Sequence, residues 1–185
     1  SAKTPQKLLA MWSGRTGAML PGSPFPIEDH SWFVNYAIAD VTGDDYPEAI
    51  GGNGSNLLHA VDACGREATG FPKFTGGSVV ASAAVGNIDG RDGRSLDVVV
   101  GTRAGYIFAW RTKGTLRGVT PWPTIHHDNA NTGNYHTPLP NGSTLRASFP
   151  LTCGGEGGSE AVTYDLGGCS AGTTRTTWSA GQVAL

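Results

Sequence analysis

The chain has no apolar run approaching the ~20 residues that a membrane-spanning helix requires. It has no cluster of Lys and Arg of the kind that holds a nucleic acid or an anionic lipid surface. Formal net charge is −2 and charged residues make up only 15% of the sequence, too few for long, salt-bridged helix faces. The catalytic signatures are missing as well. There is no G-x-S-x-G elbow, no H-E-x-x-H and no P-loop, and no spacing joins a nucleophile to a base. These absences exclude a spanning protein and a nucleic-acid binder, and they leave nothing to nominate for an enzyme. No Met and no charged-then-apolar leader opens the chain, so it reads as a mature chain whose targeting segment or upstream portion has been removed.

Cysteine is scarce too, with three residues: Cys64, Cys153 and Cys169. Cys153 and Cys169 lie in a Gly-rich tail with little apolar content, where a disulfide between them would supply the missing constraint. Cys64 is then the odd one, a free thiol in a turn or a bond to another chain. What the chain has in quantity is turn-forming residues, 28 Gly and 11 Pro. That composition suits many short strands, and the sequence is accordingly read as all-β.

The strongest positive signal is a segment that occurs twice. Asp40 matches Asn87 and Gly43 matches Gly90 at a spacing of 47, while Glu48 matches Asp97 and Gly52 matches Gly101 at 49. Leu57-Leu-His-Ala-Val61 matches Tyr106-Ile-Phe-Ala-Trp110, and Phe71-Pro72 matches Trp122-Pro123. A period close to 50 with four short apolar runs per unit is the signature of a β-propeller blade. Strands are expected near 34–39, 48–51, 57–61 and 68–73, and again near 79–86, 96–101, 105–110 and 117–123. Poor alternation within these runs predicts strands covered on both faces. Leu9-Ala-Met-Trp12 also aligns with Ile107-Phe-Ala-Trp110, so the N-terminus reads as the outer half of a further blade. The expected organisation is about two and a half repeats over 1–136: a half blade at 1–30, a blade at 31–77, and a blade with a closing segment at 78–136. Residues 137–185 form a Gly/Ser/Thr-rich, disulfide-tied β tail, with strands near 144–149, 161–166 and 173–178.

Between the first two strands of each unit lies an acidic loop. The first places Asp40, Thr42, Asp44 and Glu48 at the first, third, fifth and ninth positions, the spacing with which short oxygen-bearing side chains surround a hard cation such as Ca²⁺. The second reads Asn87-Ile-Asp89-Gly-Arg-Asp92-Gly-Arg-Ser-Leu-Asp97. The plain alternative is a polar hairpin turn with capping carboxylates. "AIADVTGDDYPEAIGG", "AAVGNIDGRDGRSLDVVVGTRAGYIFAW" and the closing "PWPTIHHDNANTGNY" resemble the FG-GAP/VCBS-type, integrin-α-like propeller repeats of bacterial secreted and surface proteins. That resemblance implies Ca²⁺ held by the side chains of Asp40, Thr42, Asp44 and Glu48 with the Tyr46 carbonyl. For the second loop it implies Asn87, Asp89 and Asp97, with Asp92 or a water in the middle place. Thr42 and Asp45 stand where the pattern has an acidic or amide residue and a Gly.

The remaining chemistry-bearing residues read as structural. His126-His127-Asp128 lacks the partners of a zinc site and falls in the closing segment. Trp12, Trp110 and Trp122 occupy repeat-equivalent places and read as packing, whereas Trp32 and Trp178 are the candidates for exposed contact. The expected function is non-catalytic: calcium-dependent adhesion, binding or scaffolding at the cell surface, toward a protein partner, further subunits or a surface glycan. A subunit of an extracellular fibre or pilus-like assembly is the first alternative. A non-catalytic fragment of a larger secreted hydrolase or lyase is the second.

Overall fold

The computed structural model describes residues 7–13, 16–32, 34–88, 90 and 94–139, with the strand backbones Pro150–Thr152, Val162–Thr163 and Gln182–Ala184. Every regular element among them is a β-strand, and no helix there is long and apolar enough to cross a membrane. Two short strands, β1 (Leu8–Leu9) and β2 (Phe25–Pro26), pair antiparallel. An antiparallel meander of four follows: β3 (Ala37–Ala39), β4 (Glu48–Gly52), β5 (Leu57–Val61) and β6 (Lys73–Phe74). A second meander holds three: β7 (Ala84–Gly86), β8 (Ser95–Gly101) and β9 (Ile107–Thr115). In the tail, β10 (Pro150–Thr152), β11 (Val162–Thr163) and β12 (Gln182–Ala184) form a small mixed sheet in the order β10-β12-β11. The Cys153–Cys169 disulfide, Trp178 and the strands expected at 144–149 and 173–178 lie outside the described residues. Cys64, in the turn after β5, is not a free thiol.

The registers reproduce the repeat seen in the sequence. Ala39 faces Glu48 across β3–β4, and Gly86 faces Asp97 across β7–β8, the same pair at the two offsets. One core joins the meanders, with Ile50, Leu58 and Ala60 from the first packed with Val85, Leu96, Val98 and Val100 from the second. The opposite face of the first meander buries Ala49 and Val61 against Leu9, Met11 and Phe25 of the N-terminal pair. Hence β4 is buried at every position, because its successive side chains enter two different cores.

Three expectations fail. In the second meander β8 is buried on successive positions as expected, but β9 is not covered on both faces: it alternates between exposed and partly buried, with Phe108 and Trp110 stacked toward the core and Ile107 79% exposed. Trp12 is not a packing residue, since it is 57% exposed and bridges Met19. Residues 117–123 do not form a fourth strand beside β9. Instead Asp40 N–H donates to Val119 O at 2.7 Å, Ile38 N–H to Trp122 O at 2.7 Å, and Val85 N–H to Pro123 O at 2.7 Å. Ile38 and Val85 are repeat equivalents, so the segment runs between the two first strands and holds both. Pro121 and Pro123 have no N–H and suit a chain that mostly accepts.

Candidate metal centre

The loop between β3 and β4 is organised around the Asp40 carboxylate. Asp40 Oδ1 accepts from the N–H groups of Thr42 (3.1 Å), Gly43 (2.6 Å) and Asp44 (3.3 Å), and Oδ2 accepts from Asp45 N–H (2.9 Å). This wrapping explains why an Asp starts the loop: a short acceptor at the end of a strand collects the N–H groups of the turn that follows. The turn needs left-handed backbone at Gly43 (φ 81°) and at Asp45 (φ 71°). Gly takes that conformation without strain, and Asp tolerates it better than most side chains.

Glu48, the first residue of β4, points back over the loop. Its Oε2 accepts Val41 N–H at 2.9 Å, and the Thr42 hydroxyl donates to Glu48 Oε1 (3.4 Å) and to Asp40 Oδ1 (3.3 Å). Asp44 completes the group: oxygens of Asp40, Asp44 and Glu48 all lie within 4.8 Å of one another. Oxygens that share a Ca²⁺ at about 2.3–2.6 Å are at most about 5 Å apart, so the donor set has the span and the hard, all-oxygen chemistry that Ca²⁺ takes. Tyr46 closes the loop by donating its N–H to Asp44 Oδ1 at 2.9 Å, with its ring buried.

The electrostatics are those of crowded, buried anions. Asp40 is 1% exposed and Glu48 2% exposed. Burial pushes the Glu48 carboxyl up to about 8; the Val41 hydrogen bond opposes this, and the charges of Asp40, Asp44 and Asp62 add to it. Burial also raises Asp40, against the pull of the Gly43 and Asp45 N–H groups. A divalent cation among these oxygens would remove both penalties.

The end of β9 clamps this loop from behind. Lys113 and Gly114 N–H groups both donate to Val41 O, at 3.2 and 3.3 Å. Gly114 lies so close to the Asp40 carbonyl that a Cβ there would overlap it, and a Cβ at Gly43 would come within 2.8 Å of Lys113 O. Gly114 stands 49 residues after Gly65, the spacing of the repeat, and that match gives no sign that Gly114 fits against the loop of the other unit.

The described part of the second loop keeps the same frame. Asp97 Oδ2 accepts Ile88 N–H at 3.0 Å, the counterpart of the Glu48–Val41 bond. Asn87 Oδ1 accepts Gly90 N–H at 2.8 Å, and its amide donates to Ser95 O at 3.0 Å. Asp89 and Asp92 lie outside the described residues. Among those described, the loop brings one carboxylate, Asp97, with Arg111 Nε 3.9 Å from its Oδ1.

A second polar centre escaped the sequence reading. His59, 3% exposed on β5, sits between Glu67 Oε2 and Glu28 Oε2, each 2.9 Å from one of its ring nitrogens. Asn53 Nδ2 also donates to Glu28 Oε2, at 2.9 Å. Burial lowers the imidazole's pKa, but the bonds and charges of Glu67 and Glu28 outweigh it and leave the pKa raised. His59 occupies the place of Phe108 in the other unit, which is the one signal the sequence offered. In the closing segment, His127 is fully buried, with Nδ1 3.1 Å from Asp128 Oδ2, and Asp128 also holds Ala130 and Thr132; this is a structural knot.

No family model, curated protein or solved structure matches this chain. The likeness to propeller repeats therefore rests on the residues themselves.

Proposed function

We propose that the chain is a calcium-stabilised repeat module of propeller type, secreted or carried at the cell surface, that works by binding or assembly and performs no chemistry. The observation that carries this reading is the loop 40–48, where three carboxylates and the Thr42 hydroxyl converge in a turn clamped by the neighbouring meander. Support for the propeller architecture comes from two antiparallel meanders in equivalent register that share one core. The proposed ligands are the side chains of Asp40, Thr42, Asp44 and Glu48 with the Tyr46 carbonyl.

The test is thermal unfolding with added calcium against calcium-stripped buffer, paired with titration calorimetry. A site with a dissociation constant of about 10⁻⁴–10⁻³ M adds roughly 0.4–1.4 kcal/mol at 1 mM calcium. Asp44→Ala should abolish that gain. An unchanged melting temperature on adding calcium would remove the reading.

A second reading, a subunit of an extracellular fibre or assembly, is favoured by β9. This nine-residue strand ends its sheet, with Ile107 and neighbouring Tyr106 exposed. Such an edge is suited to strand addition by another chain. Native mass measured across a concentration series decides between them: concentration-dependent oligomers favour the assembly.

A further inference from the structure

Between the approach to β3 and the closing segment lies a cleft of about 510 Å³, lined by Asn35, Tyr36, Ile38, Trp122, His126 and Tyr135, with Pro121 beneath. Its size falls in the range of small-molecule sites, roughly 300–1,000 Å³. The lining includes the rings of Tyr36, Trp122 and Tyr135, and its polar groups are an amide, an imidazole and phenols. Among the described residues, the lining contains no carboxylate, ammonium or guanidinium group.

The wall is fixed in place by hydrogen bonds and ring contacts. Trp122 is held by two backbone bonds to Ile38, at 2.7 and 3.1 Å, and by the edge of the buried His127 ring, with centroids 5.0 Å apart. His126 is held at φ 54° while its carbonyl accepts the N–H groups of Asp128 (3.0 Å) and Gly133 (2.8 Å). A non-Gly residue in that conformation persists where its surroundings dictate it, and here they present an exposed imidazole at the cleft. Asn35 is anchored by its backbone N–H to Ser82 Oγ at 2.9 Å, and its side chain is exposed at the rim.

We propose that this cleft binds a neutral saccharide. A sugar ring offers a weakly positive face of C–H groups to the negative face of an aromatic ring, and hydroxyls around its rim for an amide and an imidazole. An uncharged lining gives no reason to prefer a cationic or anionic ligand. The inference names the ligand class for the binding-module reading above and rests on it, but it uses none of the acidic-loop residues.

The test uses the full chain in calcium, titrated calorimetrically with cellohexaose, xylohexaose, chitohexaose and mannohexaose, with heparin and polyproline as contrasting probes. At least one neutral oligosaccharide should bind and heparin should not. The pair Asn35→Ala and His126→Gly should weaken binding about ten-fold or more by removing two hydrogen-bonding groups. Gly accepts the left-handed φ at 126, so the melting temperature should hold, which separates lost contact from lost fold. Trp122→Ala should abolish binding. If no neutral oligosaccharide binds, or if binding survives all three substitutions, the proposal is overturned. Binding of polyproline alone, sensitive to the same changes, would make this a peptide site and overturn it too. A calcium response retained without saccharide binding would remove this inference alone; a lost calcium response would remove the module reading.

Discussion

Replacing Glu48 with Gln removes one negative charge while leaving a side-chain oxygen to accept the Val41 N–H that Glu48 Oε2 accepts at 2.9 Å. In the calcium-free chain that charge is unfavourable. Burial, aided by the charges of Asp40, Asp44 and Asp62 and opposed by the Val41 bond, moves the carboxyl from 4.5 to about 8. At about 1.4 kcal/mol per pH unit, the gap bounds the cost of ionising folded, cation-free Glu48 at about 5 kcal/mol. Between those two values the folded chain holds a proton that the unfolded chain has released. Stability in calcium-stripped buffer therefore falls as pH rises from 4.5 to about 8, then levels off. At pH 7 the part already lost is about 3 kcal/mol.

Glu48→Gln should be more stable than the wild type in stripped buffer at neutral pH, by up to that amount, with a weaker pH slope. The slope left over belongs to Asp40, whose carboxyl is raised as well, and above about pH 6.5 also to His59, whose imidazole pKa is raised. In millimolar calcium the order should reverse, because the wild type gains cation binding and the variant has lost a charged ligand. Urea unfolding followed by Trp fluorescence at pH 5, 6, 7 and 8, with and without calcium, measures both effects. A Gln variant less stable than wild type in stripped buffer at pH 7 would refute the reasoning. So would wild-type stability that is flat between pH 5 and 8.

Three further outcomes follow from named contacts. Gly114→Ala forces a Cβ onto the Asp40 carbonyl and should destabilise by about 1–3 kcal/mol while weakening calcium binding, checked by urea melts and calorimetry. For His59, the raised imidazole pKa means that its contribution is complete below about pH 6.5 and is lost as pH rises through the folded value. His59→Gln should therefore cost about 1–3 kcal/mol at pH 6, less than for a fully buried pair because the Glu28 side chain is half exposed, and the deficit should shrink by pH 9. A deficit independent of pH would contradict a charged clasp. Asp128→Ala removes four hydrogen bonds and should cost about 2–4 kcal/mol, with faster amide exchange at Ile38 and Val85, which donate to the closing segment.

The sequence was legible where one residue settles a local geometry. Glu48 and Asp97 each lie on the second strand of their meander and each accept the N–H of the loop's second residue, so the offsets of 47 and 49 reappear as pairing register. The strands β4, β5 and β8 follow from apolar runs between turn residues. What stayed hidden depends on partners distant in the chain. Nothing local to 117–123 says that its carbonyls meet Asp40, Ile38 and Val85, so a fourth strand beside β9 was the natural reading. Glu28, 31 residues from His59, gives no local sign that it meets a buried imidazole. Trp12 matches Trp110 in sequence, but Trp110 packs against the shared core while Trp12 stands exposed on the N-terminal pair.

The closing segment also bears on how the acidic loop 40–48 would serve the whole module. Val41 O takes bonds from Lys113 and Gly114, at the end of the second meander, and Asp40 N–H reaches Val119. A few residues on, Trp122 and Pro123 hold the equivalent positions Ile38 and Val85, one in each meander. An ion that orders loop 40–48 thus orders groups bonded to both sheets at once, and its free energy enters the stability of the pair. The described part of the second loop keeps the bond from Ile88 N–H to Asp97 and sets Arg111 Nε 3.9 Å from Asp97 Oδ1. On the calcium reading, then, the response to calcium should follow Asp40, Asp44 and Glu48, and Asp97→Asn should leave it intact.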